Sequence, residues 1–128
     1  MLTDIKKAVA SGILISIGGC VLLASTKSGM MWAGAILFSL GLFAICEYGF
    51  NLYTGKVGYI AENFRDFKYI KLVLLILVVN LLTTFIMGIL VSVCLPDIAE
   101  SARASYAAKL EAAPGKWILS SILCGLLM

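Results

Sequence analysis

The chain has 128 residues, of which 62% are hydrophobic and 13% charged, and its formal net charge is +3. Soluble domains carry about 25% charged residues, so this composition excludes an ordinary soluble fold and predicts a protein of the lipid bilayer. The small, scattered positive charge, with no Lys or Arg cluster interleaved with aromatic residues, also excludes nucleic acid as a partner.

The first predicted element is a membrane helix over residues 8–26. Lys6 and Lys7 precede this run of roughly 19 mostly apolar residues, which is long enough for one crossing. A signal peptide is the alternative, but the run exceeds the usual apolar core of about 7–15 residues. Small residues recur on one face of the helix and predict close packing against a neighbouring helix. They are Gly12, Ser16, Gly19 and Cys20.

The second apolar segment, residues 30–64, changes character along its length. Residues 30–46 are almost entirely apolar, whereas polar, charged, glycine and aromatic residues are mixed from Glu47 onward. In hydrocarbon, an unpaired backbone group costs several kcal/mol, so an interruption survives only in protein or beside a wet cavity. The sequence therefore predicts two half-helices, about 30–49 and 54–64, joined by an irregular loop near 49–54.

The remaining elements are a third span, a polar helix and a further apolar run. The third span covers residues 70–95, and its Asn80 is expected to form a hydrogen bond with a neighbouring helix. Residues 97–115 are alanine-rich and charged, which predicts a surface or re-entrant helix. Residues 117–128 form a partial span, since about 20 apolar residues are needed to cross. The sequence thus predicts a single transmembrane domain over residues 1–128.

The distribution of basic residues predicts the orientation. With the N-terminus in the cytoplasm, six of the ten Lys and Arg residues lie on or toward the cytoplasmic side, which follows the positive-inside rule. These six are Lys6, Lys7, Lys56, Arg65, Lys68 and Lys71. The four cysteines form no CxxC pair, so neither a disulfide framework nor a metal site is predicted.

Several motifs, taken in order, resemble the formate/nitrite transporter family. Phe38-Ser39-Leu40-Gly41-Leu42, with Leu52-Tyr53-Thr54-Gly55 beginning ten residues after Leu42, is similar to the broken second helix of that family. The family's loop commonly reads Leu-Phe-Thr-Gly-Asn, and Lys56 stands here in place of the Asn. Asn80 resembles a residue of the family's third helix. Lys109, sixteen residues before Gly125, resembles the opening of the fourth.

The resemblance implies an all-α membrane protein with an aquaporin-like helical bundle and a broken second transmembrane helix. Six spans in two inverted repeats would surround one pore in each protomer of a pentamer, in a cell inner membrane. The chain would supply one inverted repeat plus the start of the next, as the N-terminal portion. The implied function is a channel or transporter for small monovalent anions, or their conjugate acids, of the formate, nitrite or hydrosulfide type. Protons are an implied partner, and no cofactor is implied.

The resemblance also assigns the candidate site residues. Phe38, Leu42 and Leu52 would form the pore constrictions, while Thr54 would offer a hydroxyl to the substrate and Lys109 a cation. A bare anion is costly to place in an apolar constriction, whereas its neutral acid is not, so such a pore filters by protonation. Each residue has a structural alternative: the apolar residues as packing, Thr54 bonded to a backbone carbonyl, and Lys109 as a solvated lysine.

Two other classes of function are alternatives to a channel. A small membrane scaffold or a self-assembling half-transporter without anion flux stays open, and it predicts that substitutions of Thr54 and Lys109 leave flux unchanged. A membrane enzyme is disfavoured, because the chain has no histidine, no carboxylate pair beside a nucleophile and no phosphate-binding loop.

Overall fold

A computed structural model describes residues 2–111 and 113–127, and this part of the chain is all-helical, as the sequence predicts. A short 3-10 helix, Gly58–Ile60, lies between the third and fourth α-helices. The α-helices are α1 (Leu2–Lys27), α2 (Met31–Glu47), α3 (Tyr53–Val57), α4 (Phe67–Cys94), α5 (Pro96–Leu110) and α6 (Pro114–Leu127).

Helices α1 and α4 are each long and apolar enough to cross a membrane. They contain 26 and 28 residues. In an apolar stretch of 18 residues within each helix, only 22% of the α1 stretch and 17% of the α4 stretch are buried inside the fold. Exposed apolar residues such as Phe43, Phe85 and Val93 cover the outside of the helices. The exposed surface is thus rich in large apolar side chains, as lipid contact requires.

Helices α1 and α2 form an antiparallel hairpin. Gly29, with a φ of +75°, closes the turn. Its N–H donates to the Thr26 carbonyl, and the Met30 N–H donates to the Ser25 carbonyl. This pair of bonds is a Schellman motif, in which glycine adopts a left-handed conformation without steric cost. Farther along, a Cβ added to Gly34 would lie 2.6 Å from Ser25 Cβ, so the two helices touch through small residues.

Helix α4 packs against α1 in the parallel direction. The two helices are in close contact at Gly12, where an added Cβ would lie 2.8 Å from Thr83 Cβ. The predicted stripe of small residues is therefore in close helix contact at Gly12. The other three members, Ser16, Gly19 and Cys20, instead line a cavity of about 370 Å³ among α1, α4 and α5.

Helix α5 begins at Pro96, which needs no N–H partner at the first helical position. An exposed ion pair of 3.2 Å between Lys27 Nζ and Asp97 Oδ1 joins its first turn to the end of α1. Pro114 likewise begins α6. The indole Nε1 of Trp117 donates a 2.6 Å hydrogen bond to the Lys109 carbonyl and ties α6 to α5.

The second apolar segment is interrupted between Glu47 and Tyr53. Helix α2 has 17 residues and so spans about 25 Å, which is shorter than the roughly 30 Å hydrocarbon core of a bilayer. The half-helix after the interruption is shorter than the predicted 54–64: α3 ends at Val57, and residues 61–66 are not helical. Asp66 then caps α4, because its side chain accepts from the Lys68 N–H at 2.9 Å.

A candidate site at the interruption of the second apolar segment

Helix α2 ends in a second Schellman motif, centred on Gly49. Gly49 has a φ of +59°, its N–H donates to the Cys46 carbonyl, and the Phe50 N–H donates to the Ile45 carbonyl at 2.9 Å. These bonds satisfy carbonyl groups that would otherwise lack partners at the helix end. The interruption therefore begins through local chemistry, at a glycine whose left-handed conformation would strain a residue with a side chain.

The far side of the interruption is held by Asn80 of α4. Its Oδ1 accepts a 2.9 Å hydrogen bond from the Tyr53 N–H, the first residue of α3. Its Nδ2 donates to the Ala8 carbonyl at 2.8 Å, with Ser11 Oγ at 3.1 Å and the Asn51 carbonyl at 3.3 Å. Asn80 thus hydrogen-bonds a neighbouring helix, as predicted, and also the interruption itself.

Ser11 of α1 completes this network. Its side chain is fully buried, and its hydroxyl lies 2.7 Å from the Asn51 carbonyl and 2.9 Å from the Ala8 carbonyl. Asn51 and Asn80 are each 7% exposed, and Asn51 Nδ2 reaches the Asp4 carbonyl at 3.3 Å. Among the described residues no buried side-chain nitrogen or oxygen lacks a partner. The Asn51 carbonyl and the Tyr53 N–H are therefore paired with protein groups, as an apolar surrounding requires.

A groove of about 470 Å³ opens beside the interruption, between the end of α2 and α3. Three of the five predicted site residues line it, namely Leu42, Leu52 and Thr54. Most of its other walls are apolar or aromatic. The remaining lining residues are Phe43, Ile45, Cys46, Gly49, Phe50, Gly55, Lys56 and Tyr59.

The hydroxyl of Thr54 has no hydrogen-bond partner among the described residues. The hydroxyls of Thr26, Thr83 and Thr84 each donate to a carbonyl four residues earlier in their own helices, whereas the Thr54 hydroxyl makes no such bond. Thr54 is exposed to the groove opening. The structural alternative for this residue, a bond to a backbone carbonyl, is not observed.

The two charged residues near the interruption differ in position. Lys56 is half-buried and lines the groove, while Glu47 is exposed at the last position of α2 and does not. Within the described ranges, 2–111 and 113–127, neither residue makes an ion pair. The groove therefore carries a positive charge with no carboxylate in its lining.

Two predicted site residues lie away from this groove. Phe38 is half-buried on α2 and packs against α1, where a Cβ added to Gly18 would lie 2.9 Å from its ring. Lys109 lies on α5 in a separate cavity of about 730 Å³ that also includes Lys116 and Trp117. The structure thus brings three of the five residues together, and the roles of all five stay predictions.

Ser11 is the member of the site that the sequence did not indicate. A single serine among apolar residues of a membrane helix is common, and its importance here depends on contacts with residues 40 and 69 positions away. In the described part of the chain, no three His, Cys, Asp or Glu side chains group together as metal ligands would. Comparisons with protein-family models, curated proteins and solved structures found no match for this chain.

Proposed function

We propose that this protein is a membrane channel or transporter for small monovalent anions or their conjugate acids, of the formate, nitrite or hydrosulfide type. The observation that carries the proposal is the groove at the interrupted segment, where Leu42, Leu52 and the unbonded hydroxyl of Thr54 lie together. Interrupted membrane helices with paired backbone are the usual form of a transport site.

The groove suits a solute that changes its protonation state. Its leucine and phenylalanine walls resist a bare anion, because a charge is costly in apolar surroundings, but admit a neutral acid far more easily. The Thr54 hydroxyl can donate a hydrogen bond to an anion or accept one from an acid. In this proposal Leu42 and Leu52 form apolar barriers and Thr54 binds the solute between them.

The resemblance of the motifs to the formate/nitrite transporter family supports a wider proposal. By that resemblance the helices belong to an aquaporin-like bundle of two inverted repeats, assembled as a pentamer in a cell inner membrane. The N-terminus would be cytoplasmic, Phe38 would contribute to a constriction, and Lys109 would attract the anion.

Flux measurements on the purified chain in liposomes test the proposal. A stopped-flow experiment with formate, nitrite and hydrosulfide gradients should show faster equilibration than protein-free liposomes, with a rate that rises as the pH falls toward the pKa of each acid. Liposomes containing the protein that equilibrate no faster than empty ones would contradict transport and favour the scaffold.

A further inference from the structure

The geometry points to Lys56 as the residue that makes the α2–α3 groove a binding site for a small monovalent anion. This inference rests on the proposed function, since it names the charged group of the same site. Lys56 is half-buried in the groove lining together with Thr54. An ammonium and a free hydroxyl in an apolar groove provide charge and hydrogen-bond donors for a carboxylate or a small oxyanion.

The backbone of Lys56 is held in place from α4. Its carbonyl accepts a 2.9 Å hydrogen bond from the Tyr69 hydroxyl. Three residues earlier, the Tyr53 N–H is bound by Asn80 Oδ1 at 2.9 Å. Both bonds anchor the short helix α3 to α4, so the Lys56 side chain starts from a defined position beside the groove.

The ammonium of Lys56 lacks a counter-ion in the described part of the chain. The ion pair found there joins Lys27 to Asp97. The titratable residues in the groove lining are Cys46, Lys56 and Tyr59, and none is a carboxylic acid. A cation in a groove whose lining holds no carboxylate raises the local concentration of small anions.

The composition of the groove predicts the class of ligand. One ammonium balances one negative charge, and the leucine and phenylalanine walls disfavour a second. The ligand is therefore a monovalent anion rather than a phosphate or a dicarboxylate. Lys109, the cation that the family resemblance implies, lies in a separate cavity between α5 and α6. Lys56 is therefore a second positive charge, located in the α2–α3 groove.

Cys46 offers a direct probe, since it lines the same groove and is exposed. The full chain with Cys20, Cys94 and Cys124 replaced by serine would be reacted with methanethiosulfonate reagents carrying a negative or a positive charge. The quantity measured is the rate at which Cys46 reacts with the negative reagent, divided by its rate with the positive reagent. Lys56→Met should lower this ratio by about tenfold, because a nearby unit charge acts oppositely on the two reagents. Formate or nitrite should slow the negative reagent only while Lys56 is present.

Two further variants serve as controls. Lys56→Arg should keep the ratio within about twofold, and so should Lys71→Met, since Lys71 is exposed on α4 outside the groove. An unchanged ratio in Lys56→Met would overturn the inference, as would a Cys46 thiol that reacts with neither reagent. If the parent chain carries flux in liposomes but Lys56→Met leaves the reagent ratio unchanged, only the role of Lys56 is refuted. If Lys56→Met lowers the reagent ratio but the parent chain carries no flux, only transport is refuted.

Discussion

Asn80 Oδ1 accepts the N–H of Tyr53 at 2.9 Å, so a side chain within α4 caps the first turn of α3. The first N–H groups of a helix have no partner within it, and in apolar surroundings water cannot replace one. The same amide reaches α1 through the Ala8 carbonyl. One residue therefore joins three helices at the point where the second apolar segment is interrupted.

Replacing Asn80 should destabilise the fold. Asn80→Leu keeps the side chain close in shape but leaves the Tyr53 N–H without its acceptor, so we expect a loss of about 2–3 kcal/mol in the free energy of unfolding. Circular dichroism during titration from a mild detergent into dodecyl sulfate measures it. Asn63→Leu is the matched control, because the Asn63 amide bonds only to the Tyr59 carbonyl one turn earlier. Similar losses in both variants would contradict the capping role.

Gly34 is required by the contact between α1 and α2. In Gly34→Ala the new Cβ would lie 2.6 Å from Ser25 Cβ and 3.2 Å from Leu22 Cα, so the helices must move apart. We expect a loss of about 1–3 kcal/mol in unfolding free energy. Gly19→Ala meets nothing within 4 Å and should not lower stability, because alanine favours a helix interior more than glycine does. Adding Ser25→Gly to Gly34→Ala should recover most of the loss, and no recovery would argue against direct contact.

The hydroxyl of Thr54 should matter for transport. Thr54→Val preserves the shape of the side chain and removes the group proposed to bind the solute, so formate and nitrite flux in liposomes should fall about tenfold. Thr26→Val is the control, since the Thr26 hydroxyl is already bonded to the Leu22 carbonyl, and its flux should match the parent chain. Equal flux in the Thr54 variant and the parent would show that the hydroxyl is not used.

Lys109 and Lys116 share one cavity and can be compared directly. If Lys109 attracts the anion, as the sequence resemblance implies, Lys109→Met should lower flux by about tenfold through the loss of local positive potential, while Lys116→Met should have little effect. The difference should shrink at high ionic strength. Parental flux in both variants would show that Lys109 does not attract the anion, and equal reductions would indicate a shared electrostatic effect.

Much of the secondary structure could be predicted from the sequence. Apolar length identified α1 and α4, and the change of composition at Glu47 identified the interruption. The end of α3 at Val57 was not predicted, because residues 58–64 contain no strong helix-stopping signal other than Gly58. Leu42, Leu52 and Thr54 were grouped by resemblance to a family motif, and they line one groove.

The sequence by itself determined the all-helical architecture, its suitability for a bilayer and the place where the second segment is interrupted. These features depend on composition and short-range chemistry, such as the glycine that ends α2. Only the tertiary structure decided that Ser11 and Asn80 pair with the interruption, that Lys56 faces the Thr54 groove and that Lys109 lies apart from it. Such relationships depend on how helices far apart in the chain pack and on their relative register, which no local pattern of residues specifies.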